Sequence, residues 1–193
     1  MCMKKVGALI CTVGLLYTPW ISGGVMPKGL KATSSLIAIS AEVFESAANT
    51  FTSQTVDLQL NPLDQEVFVV YGVDIDCLDP NLVPGVDTVL KASVSTTRRT
   101  DVGSLGETNV VAINRITIQD NGVTAVRSQF SSDSAPSTQL EYLAIIATND
   151  FFLNIEGTNN LAGRSATARL YGARMTASAS IYAALVQSEI LSQ

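Results

Sequence analysis

The chain has 193 residues, of which 47% are apolar, 6% are aromatic and 15% are charged. This composition excludes a disordered tail or linker and predicts one compact domain. The sequence contains no histidine. It therefore lacks the commonest general base, the commonest zinc ligand and every catalytic triad that depends on imidazole, and the sequence predicts no enzyme.

Seventeen acidic and twelve basic residues give a net charge of −5. Four of the bases, Lys4, Lys5, Lys28 and Lys31, precede the first acid, Glu42. The other eight bases accompany all seventeen acids, so the rest of the chain carries −9. Because such a body repels phosphate groups, we expect weak or no direct nucleic-acid binding by the folded domain.

The first 25 residues have the layout of a secretory signal. Two lysines precede an apolar stretch over residues 6–21, and small residues follow it. Gly14 and Pro19 interrupt this stretch, which is shorter than the ~20 residues that a membrane-spanning helix needs. Alternatively, Met26 opens a polar segment, and the preceding residues are an upstream extension. Either way, residues 26–35 are predicted to be a flexible basic arm and residues 36–193 a folded domain.

The pattern of the remaining chain is mostly a period of two with frequent turn residues, which is typical of an all-β domain. Strands are predicted at 56–60, 66–76, 88–96, 109–119, 123–130, 140–148, 151–156 and 165–175, and the ambiguous segment 36–47 favours a strand. Asp120-Asn121-Gly122 predicts a tight hairpin turn. Apolar residues spaced at three and four from Ile181 to Ile190 predict a short carboxy-terminal helix.

Eight or nine strands predict a single-domain two-sheet β-sandwich, with the ~8-stranded jelly roll as the natural candidate. An immunoglobulin-type sandwich of ~7 strands is the rival. Against it, the only tryptophan is Trp20, outside the domain, and the three cysteines (Cys2, Cys11 and Cys77) provide no core pair. Cys77 is expected to be a buried small hydrophobe, and no cofactor is predicted.

Two groups of charged residues are candidates for binding. Asp74 and Asp76 should point to one face of a strand end, where they could share a calcium ion with Asp79; a solvated strand edge is the favoured alternative, so no metal site is predicted. Arg98 and Arg99 form the only basic doublet of the domain and could contact another subunit or a phosphate, although a solvated loop is again the commoner case.

The arm carries the other candidate contacts. Lys28 and Lys31 have no acid near them in sequence and could face nucleic acid by charge alone.

The lysine-bearing arm MPKGLK, the strands from Ile37 to Met175 and the polar loops 97–107 and 131–138 resemble single-jelly-roll capsid proteins of small icosahedral viruses. The resemblance implies a self-assembling structural protein of the virion, with many copies of itself as partners and other virion proteins as further ones. The departure is the arm, which has only two lysines where genome-neutralising members often have many.

The rival interpretation takes residues 1–25 as a true signal and the domain as an exported bacterial adhesin, surface-layer or carbohydrate-binding module, secreted or at the cell surface. A mature chain that begins after Gly24 or Val25 favours export, whereas Met26 or Pro27 favours an internal start. A cupin-like enzyme is disfavoured because its metal site ordinarily needs histidines.

Overall fold

The computed structural model describes residues 28–132 and 141–191. These residues form ten strands, one 3₁₀ turn at Pro62–Asp64 and one α-helix. The strands are β1 Leu30–Ala32, β2 Ile37–Phe44, β3 Thr52–Asp57, β4 Glu66–Cys77, β5 Thr88–Ser95, β6 Val110–Asp120, β7 Ala125–Ser131, β8 Ala144–Ile146, β9 Asp150–Thr158 and β10 Ser165–Ala177. The helix, α1, spans Ala179–Leu191.

The strands form two antiparallel sheets. Sheet A has the order β2-β10-β4-β8, with β1 continuing the β2 edge along β10, and sheet B has the order β3-β9-β5-β6-β7. The pairs are nested, with β5–β6 innermost, then β4–β8, β3–β9 and β2–β10. A long antiparallel ribbon wrapped into two facing sheets is the jelly roll. The predicted fold is therefore confirmed, and the rival immunoglobulin-type sandwich is wrong.

The main core lies between the sheets, and a second apolar cluster lies outside sheet A. Strand β4 belongs to both, because Phe68 and Val70 point inward while Val67 and Val69 point outward, and all four are fully buried. This explains the continuous apolar run at the start of β4, since a strand that is buried on both faces does not alternate.

Helix α1 covers the outward cluster. Its residues Ile181, Tyr182, Leu185 and Val186 pack on the outer side of β4 and β10, over Val69 and Met175 among others. The spacing of these four residues at one, three and four places them on one helical face. The predicted carboxy-terminal helix is therefore present, and it makes sheet A a layer with apolar packing on both sides.

The structure differs from the sequence prediction in three places. Leu58 and Leu60 are buried but follow β3, because Gln59 has a left-handed φ of 53° and the Leu60 N–H donates to Asn149 Oδ1 at 2.6 Å. Strand β8 is only three residues long. Within the predicted flexible arm, Leu30–Ala32 forms β1 and pairs with β10.

The signal-like segment, residues 1–25, lies outside the described residues. Over the part of the chain that the structure describes, no helix has the length and apolarity to cross a membrane.

Candidate interaction surfaces

The two neighbouring arginines after β5 have different surroundings. Arg98 is exposed, whereas the side chain of Arg99 is 13% exposed and lies within its own loop. Arg99 Nη1 donates to Asn109 Oδ1 at 2.9 Å, Nη2 pairs with Asp101 Oδ1 at 2.9 Å, and Glu107 forms a second ion pair. The guanidinium of Arg99 is therefore engaged internally, while that of Arg98 faces solvent.

The loop that holds Arg99 lies over the outer face of sheet B. Ser93, Ser95 and Asn154 are fully buried although they alternate with core residues and so point away from the main core. The Ser95 hydroxyl donates to the Thr97 carbonyl at 2.9 Å, and Asn154 Nδ2 donates to Ser95 Oγ at 2.9 Å. Asn109 Nδ2 in turn donates to Thr97 Oγ1 at 2.6 Å. The cover of this sheet is thus a polar network.

Of the three aspartates that the sequence singled out, Asp79 forms an ion pair with Arg127, and Asp74 and Asp76 do not take part in it. Asp74 and Asp76 are both exposed on the outer face of sheet A, as the alternation predicts. Asp79 instead accepts from Arg127 of β7, at 2.7 Å from Nη2 and 2.9 Å from Nε. Among residues 28–132 and 141–191, no three acidic, cysteine or histidine side chains are arranged to hold a metal ion.

The half of sheet A that α1 leaves bare forms a shallow acidic groove of about 570 Å³. Glu42, Asp74 and Asp76 line it together with Arg169 and Tyr171. Three carboxylates against one guanidinium give this surface a negative charge, which favours cationic or polar ligands over phosphates.

The two arm lysines lie at the opposite end of the same sheet. Lys28 and Lys31 are both exposed, and Lys31 stands opposite Thr176 at the helix end of β10. The Gly29 carbonyl accepts from the Ser178 N–H at 3.3 Å, which fixes this end of the chain beside α1. Lys28 and Lys31 therefore lie at the end of sheet A that is opposite to Glu42, Asp74 and Asp76.

Two buried glutamates were not singled out by the sequence. Glu45 accepts from the Gly157 N–H at 2.6 Å and the Arg164 N–H at 2.8 Å, and so joins the end of β2 to the β9–β10 connection. Nothing in the sequence around Glu45 indicates this role.

Glu189 joins α1 to the turn between β8 and β9. Its carboxylate accepts from the Ala147 N–H at 3.0 Å and the Thr148 N–H at 2.9 Å. Burial raises the pKa of the Glu189 carboxyl, with a smaller contribution from Asp150, while the hydrogen bonds from Ala147 and Thr148 oppose the rise. The sequence contained a signal for this burial, because Glu189 follows Val186 by three and so lies on the apolar face of the helix.

Strand β7 is the most exposed strand of sheet B. All seven of its residues are exposed, including Val126 at 55% and Phe130 at 47%. The sequence predicted this strand and the hairpin turn before it, where Gly122 has a φ of 81°. It did not predict that the strand would form the edge of the sheet.

No protein-family model matches the sequence, and no curated protein matches it. Solved structures that the fold is similar to include three viral ones. The unassembled VP1 pentamer of Merkel cell polyomavirus has 7% identity and a TM-score of 0.33, with 76% of this chain and 96% of that chain covered. Cocksfoot mottle virus has 9% identity and a TM-score of 0.30, with 91% and 96% covered, and Desmodium yellow mottle tymovirus has 10% and 0.28, with 80% and 93% covered. All three scores lie below 0.5, so the fold assignment rests on the strand order described above.

Proposed function

We propose that this protein is a structural protein that assembles through its β-sandwich, as the capsid protein of a virus. The observation that carries the proposal is the nested jelly-roll order of β2 to β6 and β8 to β10. Viral capsid proteins, lectins and cupins are the main classes of protein built on this fold. A cupin metal site ordinarily needs histidines, which the sequence lacks, and this leaves a capsid or a binding domain.

The distribution of charge supports contacts between protein subunits in preference to contacts with a genome. The acidic groove of sheet A repels phosphate, and the Arg99 guanidinium is held by Asp101 and Glu107. Of the basic residues that the sequence singled out, Arg98, Lys28 and Lys31 are exposed and can contact other subunits or nucleic acid. We infer that the folded domain contributes to a shell and that direct genome binding by it is weak.

The test is the assembly state of the purified full-length protein. We expect large symmetric particles in electron micrographs and a high-mass species by size-exclusion chromatography with light scattering, because closed shells are built from repeated copies of the same interface. A stable monomer across a wide range of protein concentrations would contradict the proposal.

A second candidate is an exported carbohydrate-binding or adhesive domain, which the groove of sheet A favours. Carboxylates such as Asp74 and Asp76 can accept hydrogen bonds from sugar hydroxyls, and Tyr171 offers an aromatic surface beside them. Sequencing of the mature amino terminus separates the two candidates, since export predicts a start after Gly24 or Val25. Glycan binding that is lost in Tyr171→Ala would favour this second candidate.

A further inference from the structure

Strand β7 is additional to the nested strands of the jelly roll and contributes to neither core cluster. Among residues 28–132 and 141–191 it pairs with β6 alone and forms the end of sheet B. None of its residues belongs to the core between the sheets or to the cluster under α1. Natural edges are usually short, charged or covered. This edge is seven residues long and exposes Val126 and Phe130, and its one charge, Arg127, is already paired with Asp79.

The hydrogen bonds at both ends of the β6–β7 pair show which backbone groups of β7 face outward. The Ser132 N–H donates to the Ile113 carbonyl at 2.9 Å, and the Asn121 N–H donates to the Thr124 carbonyl at 3.4 Å. Because bonding to a neighbouring strand alternates residue by residue in an antiparallel ladder, even-numbered residues of β7 bond to β6. The outward groups therefore belong to Ala125, Arg127, Gln129 and Ser131.

We propose that β7 pairs in antiparallel fashion with β7 of a second copy of this chain, about a two-fold axis at Ser128. In this register Arg127 stands opposite the partner's Gln129, and Ala125 stands opposite the partner's Ser131. All four outward residues then lie in hydrogen-bonded pairs, and sheet B continues through both subunits. The proposal deepens the proposed function, on which it rests, by naming one interface of the assembly.

The side chains of β7 select this register over its neighbours. Val126 faces the partner's Phe130, so both exposed apolar side chains gain a cross-strand apolar neighbour on the outer face of the sheet. Moving the axis to Arg127 would place two guanidinium groups directly opposite each other, which is destabilising. Moving it to Gln129 would leave Ala125 unpaired and place Phe130 opposite the partner's Ser128.

The charge of the edge is also compatible with self-pairing. Arg127 is the only charged residue of β7, and Asp79 of the same chain already forms an ion pair with it at 2.7 Å. Two edges that each carry a neutralised pair can approach without net repulsion. The contact is isologous, as a two-fold interface requires.

A cysteine at the two-fold axis tests the register. Ser128 would face the partner's Ser128 in a non-hydrogen-bonded pair, where Cα atoms are ~4.5 Å apart, within the range that a disulfide spans. We expect Ser128→Cys, in full-length protein with Cys2 and Cys11 changed to serine, to form a disulfide-linked dimer under mild oxidation. Val123→Cys is the collision control, because Val123 is 92% exposed but lies off the axis. Cys77 does not compete, since burial and then Asp76 raise its pKa to about 12.

A matched pair at Gln129 tests the backbone contact. Proline removes the outward N–H but no bond to β6, and proline is tolerated where an edge strand faces solvent. Gln129→Ala loses the same side-chain contact to Asn114 Oδ1 and keeps the outward N–H. We expect Gln129→Pro to weaken dimer formation at least tenfold relative to Gln129→Ala, measured by analytical ultracentrifugation, with circular dichroism confirming that both variants fold.

The results separate the failure of this interface from the failure of the proposed function. Linkage of Ser128→Cys well above Val123→Cys, together with the Gln129→Pro effect, supports the interface. Assemblies that form without either effect overturn the interface and leave self-assembly standing. Linked dimers that never grow into larger particles support the interface and contradict the shell. A monomer under all conditions overturns both.

Discussion

The outer faces of the two sheets are both partly covered, but by opposite chemistry. Helix α1 covers part of sheet A with an apolar cluster that includes Met175 and Val69, and one carboxylate, Glu189, fixes its end. The loop after β5 covers part of sheet B through Ser95, Asn154 and the ion pairs of Arg99.

The two covers are expected to have different roles: the helix mainly stabilises the fold, and the loop mainly holds its own residues in position. Removing apolar surface from water is favourable by roughly 25 cal/mol per Å², so the helix cover should contribute strongly to the free energy of unfolding. A buried hydrogen bond replaces hydrogen bonds that the same groups make to water in the unfolded chain, so it contributes only about 1 kcal/mol net to the free energy of unfolding. We therefore expect the loop cover to be weaker and to serve mainly to fix the shape of the loop that presents Arg98.

The largest expected effect is on the helix-covered side. Met175→Ala removes a side chain that is 1% exposed in the cluster under α1. The loss of burial and the resulting cavity should lower the free energy of unfolding by ~2–5 kcal/mol, measured by urea denaturation. Ser93→Ala is the matched change among the buried polar residues on the outer face of sheet B, where it removes a hydrogen bond from Asn154, and it should cost about 1 kcal/mol. Equal costs at the two positions would contradict the comparison.

The second prediction distinguishes the adjacent arginines. Arg99→Ala leaves Asp101, Glu107 and Asn109 without their shared partner and should lower the free energy of unfolding by ~1–3 kcal/mol. Arg98→Ala, at an exposed position, should change it by less than about 0.5 kcal/mol. Thermal and urea unfolding of both variants provide the measurement. A comparable loss in Arg98→Ala would show that the loop is held by contacts other than those of Arg99.

The smallest expected effect is the pH dependence of the helix attachment. The folded pKa of Glu189 is raised above its ordinary value of 4.5. The folded protein therefore holds this proton more tightly than the unfolded chain, and the contribution of Glu189 to stability is greatest at low pH and declines as pH rises through the folded pKa. Urea unfolding from pH 4 to pH 8 should show that decline in the wild type and lose it in Glu189→Gln. Glu42→Gln, on the bare half of sheet A, should retain it; a slope unchanged in Glu189→Gln would show that another group is responsible.

Local signals were sufficient for most elements of the fold. Alternation, the apolar run of β4 and the turn residues predicted β4 to β7, β9 and β10 within a few residues, because each of these signals is carried by neighbouring residues in the chain. The spacing from Ile181 predicted α1 for the same kind of reason. The strand predicted at 56–60 was wrong beyond Asp57. Leu58 and Leu60 are apolar because they are buried, but the left-handed backbone at Gln59 and the hydrogen bond from Leu60 to Asn149 take the chain out of the strand.

The candidate surfaces were harder to predict. Arg98 and Arg99 are equivalent in sequence, and only the folded loop shows that Asp101 and Glu107 engage the second of them. Asp79 was grouped with Asp74 and Asp76 by spacing, but its partner Arg127 is 48 residues away in the chain. Contacts between residues so far apart depend on strand order, which one sequence does not contain.

By itself the sequence determined the all-β class, the approximate strands, the hairpin turn at Gly122 and the amphipathic helix, because these follow from backbone preferences and burial patterns over a few residues. The tertiary structure alone decided the nested strand order, the surface that each charge faces and the exposure of the β7 edge. The physical reason is that these features arise from pairing between distant segments, whose free energy depends on the whole fold and not on any local stretch of residues.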